Sequence, residues 1–433
     1  MCGIAGIVDQ RGGRVESARV RAMCDAIRHR GPDGDGFYDH PDGSASIGMR
    51  RLSIIDIDGS DQPLYNEDRT IAMVFNGEIY NYRELRAELI KQGHHLTTDG
   101  DGETLIHLYE QHGVDGMFRQ LRGMYAFALI DTARKRLVLA VDHIGMKPLY
   151  YAEQNGFLYF SSEVKALIAG GILPRLNPTV LDTYFSFGFM IGQETLFGGV
   201  KRLMPGHVLI AENGTIQIQR YWEFPDYTGN PPLTPDSRAD EAIIADLRER
   251  ITESVRLHLR ADVPLGLFLS GGVDSAAILA LMSAEAVGRV NTYTVGYAAD
   301  TPDNELDAAR RIAAHYGAEH HERVITAADW WAGFERYVYH HDEPNANSSA
   351  VSLLLLAELT GSQLKVVLTG LGGDELFGGY ANHRAIPALI DRQKRYGAFA
   401  RAAAPIIDRI EPLYPALKRW RGIGALPTYL PRI

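Results

Sequence analysis

A chain of 433 residues exceeds what one hydrophobic core ordinarily fills, so two domains are expected. Its 45% hydrophobic and 23% charged residues describe an ordinary globular protein, and its two cysteines, Cys2 and Cys24, exclude a disulfide framework and fit a reducing, cytoplasmic compartment. A net charge of -10 argues against a broad nucleic-acid surface, no signal peptide is read at the start, and the apolar run over 351–359 is too short to cross a membrane.

In chain order, 3–8 and 71–75 are short apolar runs ended by turn or polar residues, and both read as buried strands. Further strands are expected over 125–130, 137–141 and 157–160. Val20, Met23, Cys24 and Ile27 recur at helical spacing, as do Leu85, Leu89 and Ile90. Many strands with a few helices imply a layered α+β domain over about the first 200 residues. A polar, proline-rich stretch from Pro225 to Pro235 then supplies the best boundary. Beyond it, Ile243, Ile244, Leu247, Ile251 and Val255 follow one face of a helix over 240–259. Strands at 263–269, 290–295 and 365–368 alternate with helices after Asp274 and over 305–316, the pattern of a parallel α/β sheet. The locally basic tail from Arg392 to Arg421 reads as a solvated face.

Cys2 stands one methionine removal from the amino terminus. With Met1 cleaved, one residue carries both a thiol and a free amine, a nucleophile with its own base. The plain alternative is a small hydrophobe buried beside a strand. Asn76-Gly77 follows the strand ending at Phe75, where an amide side chain and an open backbone N–H could converge on a tetrahedral oxyanion; a simple Asn-Gly turn is the alternative. Arg51 and Asp101 carry charges suited to the carboxylate and ammonium of a small zwitterion, although each alone reads as surface charge. Cys24 reads as packed core.

MCGIAG, HRGPD at 29–33, RLSIID at 51–56, NGEIYN at 76–81 and DGDGE at 99–103, in this order, resemble the class II glutamine amidotransferases. These are N-terminal-nucleophile hydrolases with an αββα sandwich. The resemblance implies Cys2 as nucleophile, Asn76 with the Gly77 N–H as oxyanion hole, and Arg51, Glu78 and Asp101 as the groups holding glutamine.

A second motif, LSGGVDS over 269–275, lies where an expected strand turns into a helix. Its glycines let the backbone close around phosphate, helix N-terminal amides face the anion, and the hydroxyls of Ser270 and Ser275 add donors. Asp274 would repel bare phosphate, which points to Mg²⁺ between them; a glycine turn capped by Asp274 is the alternative. The loop is neither GxxxxGK(S/T) nor GxGxxG. It resembles the pyrophosphate-gripping loop of ATP pyrophosphatases. That resemblance implies ATP contacts at Leu267, Ser270, Gly271, Gly272, Asp274, Ser275, Val295, Thr369 and Gly370, with Asp274 and Asp374 as Mg²⁺ ligands. Asp342-Glu343-Pro344 and Asn347-Ser348-Ser349 read either as neighbours of the acceptor or as a polar loop before a helix.

Together the halves resemble the glutamine-hydrolysing asparagine synthetases: an amidotransferase domain over 2–210, a linker over 211–238, and an α/β parallel-sheet, ATP pyrophosphatase-type domain over 239–433. The implied reaction takes ATP, L-aspartate, L-glutamine and water to AMP, PPi, L-asparagine and L-glutamate through β-aspartyl-AMP and channelled ammonia. Implied partners are L-glutamine, ATP and L-aspartate or another carboxylate, with no nucleic acid and no membrane; a homodimer is left open. Two features depart from the family. Leu371 stands where the G-(E/D)-G pattern has an acid tied to adenylate formation, and the sequence ends at Ile433, before the helical continuation that carries a family lysine; Arg384 does not match that position. The alternatives are an amide ligase acting on another carboxylate and a glutaminase joined to a nucleotide-binding module without ligase activity.

Overall fold

The computed structural model describes residues 1–225, 236–285, 288–298, 304–383, 385–388, 390–391 and 395. In chain order the amino-terminal elements are β1 (Gly3–Asp9), α1 (Ser17–Ala26), β2 (Gly34–Asp39), β3 (Ala45–Arg51), β4 (Leu64–Tyr65), β5 (Ile71–Ile79), α2 (Tyr82–Lys91), α3 (Glu103–Met117), β6 (Gly123–Asp131), β7 (Arg136–Val141), β8 (Tyr150–Gln154), β9 (Phe157–Ser161), α4 (Val164–Ala169), α5 (Leu181–Phe187), β10 (Val200–Arg202), β11 (His207–Glu212) and β12 (Thr215–Arg220). The strands form two six-stranded sheets, ordered β10-β8-β9-β1-β3-β2 and β12-β11-β7-β6-β5-β4. Every ladder in them is antiparallel.

Alternation along the strands sorts side chains into layers. Ile4, Ile47, Val74, Leu139 and Phe160 fill the space between the sheets. On the outer face of the first sheet, Val20, Met23 and Ile27 of the α1 region pack with Leu167 of α4. On that of the second, Leu85 and Leu89 of α2 and Leu105 and Ile106 of α3 pack against Phe75 and Phe127. Each such buried side chain contributes about 1.5–3 kcal/mol, which is why the order helix, sheet, sheet, helix holds. The expected αββα sandwich is the observed one, and Cys24 is fully buried in it. Ile90 departs from expectation, since it lies on the exposed side of α2.

The carboxy-terminal elements are α6 (Asp240–His258), β13 (Leu265–Phe268), α7 (Val273–Glu285), β14 (Asn291–Tyr297), α8 (Leu306–His315), β15 (Glu319–Ile325), α9 (Ala327–His341), α10 (Ser349–Gly361), β16 (Val366–Leu368) and α11 (Gly373–Phe377). The four strands run parallel in the order β15-β14-β13-β16. The chain steps outward from β13 to β15 and returns to pair β16 on the other side of β13, so a topological switch point falls between β13 and β16. Helix α6 forms as expected, but only Val255 and Leu257 are buried; Ile244 is 61% exposed, so its apolar face is packed at one end alone. The run over 351–359 belongs to α10, whose Val351 and Leu355 are buried, and no described helix is long and apolar enough to cross a membrane.

Two compact units divide the chain, Met1–Thr369 and Gly370 onward; α11 belongs to the second. The prolines over 226–235, Arg384 and, Arg395 apart, the basic tail from Arg392 lie outside the described residues.

Candidate active site

The cavity between the sheets arises from a change of residue type along β5. Val74, Asn76 and Glu78 share one face of this strand at period two, while Phe75 and Ile79 turn to the helices. Where Val74 gives way to Asn76 and Glu78, apolar filling stops and a cavity of about 340 Å³ opens. Its lining includes Cys2, Arg51, Asn76, Gly77, Glu78 and Asp101, which are all the residues expected at the amino-terminal site.

Asn76 and Gly77 do not form the turn that their dipeptide allowed. They lie inside β5, paired with Ala126 and Tyr125 of β6, and a Cβ at Gly77 would stand 2.1 Å from the Met124 carbonyl oxygen. Glycine is required there by the close approach of the neighbouring strand. Asn76 is 1% exposed, and neither atom of its side-chain amide has a hydrogen-bond partner among the described residues. A buried amide costs free energy when unpaired, so this one is held ready for something that enters the cavity.

Around it the other groups are fixed. The Cys2 thiol accepts from Leu52 N–H at 3.3 Å, and Arg30 donates to the Cys2 carbonyl at 2.9 Å while pairing with Glu163 at 2.8 Å. Arg51 is buried, its guanidinium oriented by the Ile57 and Asp56 carbonyls and by Asp61 at 2.7–2.9 Å. Asp101 accepts from Ile79 N–H at 2.7 Å. Burial lifts its carboxyl to about 6 against that bond; burial, with Asp101 nearby, lifts Glu78 to about 7. Two such carboxyls beside one another favour an incoming cation. Burial also pushes the Cys2 thiol up and lowers the terminal amine of Met1 to about 5.

Lys147 was not singled out from the sequence. It is buried, lines the cavity, lies 3.0 Å from the Met1 sulfur, and has its pKa lowered by burial, opposed by Glu78. Asp142 brings it there by accepting from the backbone N–H groups of Ile144, Met146 and Lys147. A lone lysine in a loop gives no sequence signal; the Asp-x-x-Gly-x-Lys turn was the available hint.

The cavity continues to Lys365, Val366 and Val367 at β16. Lys365 pairs with Asp33 at 2.7 Å, and Asp33 also accepts from Ser53 N–H. Asp342 and Glu343, whose position near an acceptor was one expectation, are spent on the amino-terminal half: Asp342 pairs with Lys165 at 2.9 Å, and Glu343 with Arg202 at 2.8 Å and Leu196 N–H. Arg260 grips Glu84 through both carboxylate oxygens at 2.7–2.8 Å.

At the end of β13 the 270–275 loop closes on itself. Ser270 and Ser275 hydroxyls meet at 2.9 Å, Ser275 accepts from Ser270 N–H, and Ser270 accepts from Gly272 N–H. A Cβ at Gly271 would stand 2.7 Å from the Ala308 Cβ of α8, so glycine permits the loop to pack there. Asp274 lies in the first turn of α7. Leu267 is fully buried in the sheet core and Val295 packs toward α9 and α10, with Thr369 just after β16. In the second unit, Gly370 precedes the turn carrying Leu371, which is 88% exposed; Asp374 opens α11 with its carboxylate against Gly379.

Residues 1–222 match the family model of a glutamine amidotransferase domain, and residues 246–431 match that of asparagine synthase. The chain belongs to the glutamine amidotransferase domain family. The αββα sandwich falls within the first match and the parallel sheet within the second. The chain is 36% identical over 388 residues to the glutamine-hydrolyzing asparagine synthetase 1 of Bacillus subtilis, covering 89% of this chain and 60% of that protein. It is 33% identical over 403 residues to asparagine synthetase 2 of Arabidopsis thaliana (89% and 62%), and 33% identical over 459 residues to amidase chyE of Penicillium rubens (94% and 66%). The chain thus spans about six-tenths of the length of the first curated relatives it matches.

Proposed function

We propose that this protein hydrolyses L-glutamine at Cys2 and delivers the ammonia to a carboxylate activated by ATP, with L-aspartate as acceptor and L-asparagine as product. The observation that carries the reading is the cavity that joins Cys2, Asn76, Gly77, Glu78 and Asp101 to β16, beside the switch point of the parallel sheet. With Met1 removed, the Cys2 amine takes the thiol proton and the thiolate attacks the glutamine amide carbon. The oxyanion forms against the unpaired Asn76 amide and Gly77 N–H; Arg51 takes the substrate carboxylate, and Glu78 and Asp101 its ammonium. Ammonia leaves, and water releases glutamate from the thioester. Ammonia kept within protein stays unprotonated and nucleophilic.

The second step falls to the domain over 239–433 working with that over 2–210 in a cytoplasmic enzyme; of the expected linker over 211–238, the part to Arg220 is strand paired in the sandwich. ATP contacts fall to Leu267, Ser270, Gly271, Gly272, Asp274, Ser275, Val295, Thr369 and Gly370. Asp274 and Asp374 each sit in the first turn of a helix, and hard carboxylate oxygens suit Mg²⁺. The ion would offset charge on the phosphates.

A second reading has a specific motive. Leu371 is an exposed leucine at the position where the family pattern carries an acid, and its side chain can neither accept a hydrogen bond nor hold charge. On that reading the chain is a glutaminase with a nucleotide-binding module, or an amide ligase for another carboxylate. Pyrophosphate release from ATP, with ammonia supplied directly and a panel of carboxylates including aspartate, separates them. Release with aspartate supports the synthetase; release with another acid alone identifies a different ligase; no release with glutaminase intact rejects ligation.

A further inference from the structure

On the helical side of the second sheet, apart from the cavity, three segments bring imidazole and carboxylate groups together. Glu67 lies in the turn between β4 and β5, His94 in the loop after α2, and His107 and Glu110 one turn apart on α3. One ligand atom from each of Glu67, His94 and His107 lies within 4.8 Å of the others. His107 Nδ1 is 3.0 Å from Glu110 Oε2 and 3.8 Å from Glu67 Oε2, and His94 Nδ1 is 3.8 Å from the same Glu110 oxygen. A tetrahedral zinc ion with bonds near 2.0–2.1 Å sets its ligand atoms about 3.3 Å apart, in the middle of this range.

The outward atom of each group is held by another residue. Glu67 Oε1 accepts from His95 N–H at 3.0 Å, Glu110 Oε1 from the Asn66 amide at 2.8 Å, and His94 Nε2 meets Gln111 Oε1 at 3.2 Å. His107 is fully buried, and its Nε2 faces Glu103 Oε1 at 3.7 Å without a hydrogen bond. That leaves Nδ1, Nδ1, Oε2 and Oε2 turned inward, with an outer carboxylate behind the buried imidazole as in protein zinc sites. Three carboxylates, Glu67, Glu103 and Glu110, surround the one buried ring, and its Nδ1 hydrogen-bonds to Glu110 Oε2.

We propose that Glu67, His94 and His107, completed by Glu110, bind a structural Zn²⁺. Imidazole with carboxylate suits zinc rather than Mg²⁺ or Ca²⁺. The ion would tie the β4–β5 turn and the loop after α2 to α3, and so brace the segment that ends at Asp101 in the cavity. The site shares no residue with the cavity and does not depend on the function proposed above.

The full chain, stripped of metal, is titrated with Zn²⁺ against a chromophoric chelator, and Co²⁺ is substituted to read geometry. One tightly held equivalent, visible bands of tetrahedral Co²⁺, and retention of both in Cys2→Ala are expected. His94→Ala and Glu67→Gln, at partly exposed positions and checked for folding by circular dichroism, should each lose more than the roughly 10–100-fold that an outer-shell change costs. The wild-type Co²⁺ spectrum stands independently of either variant. No saturable uptake by the wild type, uptake undiminished in both ligand variants, or loss in Cys2→Ala overturns the site.

Discussion

Glu78 and Asp101 carry the pH dependence of the cavity. Both have folded-state values, about 7 and about 6, above their ordinary 4.5 and 3.8, principally because they are buried. Raised carboxyls favour the folded state at low pH, and that contribution is withdrawn as pH rises through 6 and 7. A substrate ammonium reverses the balance, because it binds the ionised form. The KM for glutamine should therefore fall as pH rises through these values, and in Asp101→Asn the fall should move to lower pH, since Glu78 loses a neighbouring charge. A steady-state profile of KM against pH checks this; a KM flat from pH 5.5 to 8 would count against ammonium capture by these groups.

At the scale of elements, β5 decides the geometry. It was expected to end at Phe75, because Asn-Gly is a common turn, but it continues to Ile79 in register with β6. Continuation is what sets Asn76 and Glu78 on one face. Gly77→Ala should push β5 from β6, costing about 1–3 kcal/mol in a urea melt and abolishing glutamate release; a stable, active variant would contradict the close approach. The strands with plain apolar runs and the amphipathic α1 and α2 were legible in the sequence, and so were the residues around Cys2, because motifs of unlike residue types are rare by chance. Helix α3 was not legible. From Glu103 to Tyr109 every residue is buried, which erases the polar face that marks a helix. Strands β2 and β12 were missed for the opposite reason, being mostly exposed or half-buried at sheet edges. Lys147 reached the cavity only through the Asp142 turn, a contact that spacing does not reveal.

At the scale of the first unit, its two parts are fastened by ion pairs rather than by one shared apolar core. Glu343 is the most enclosed of these groups, holding Arg202 and Leu196 N–H together. Glu343→Ala leaves both donors unpaired and should lower the unfolding free energy by about 1–3 kcal/mol, with glutamate release retained; an unchanged denaturation midpoint would remove its docking role. The bond from Lys365 to Asp33 places β16 against the loop between α1 and β2, on the wall where the cavity runs from Cys2 toward the parallel sheet. Every step proposed for that path begins with glutamine cleavage at Cys2. The most direct measurement is glutamate release from glutamine by the Met1-processed chain and by its Cys2→Ala variant. The account predicts a loss of at least about a thousandfold in the variant. Glutamate release at the wild-type rate would contradict it.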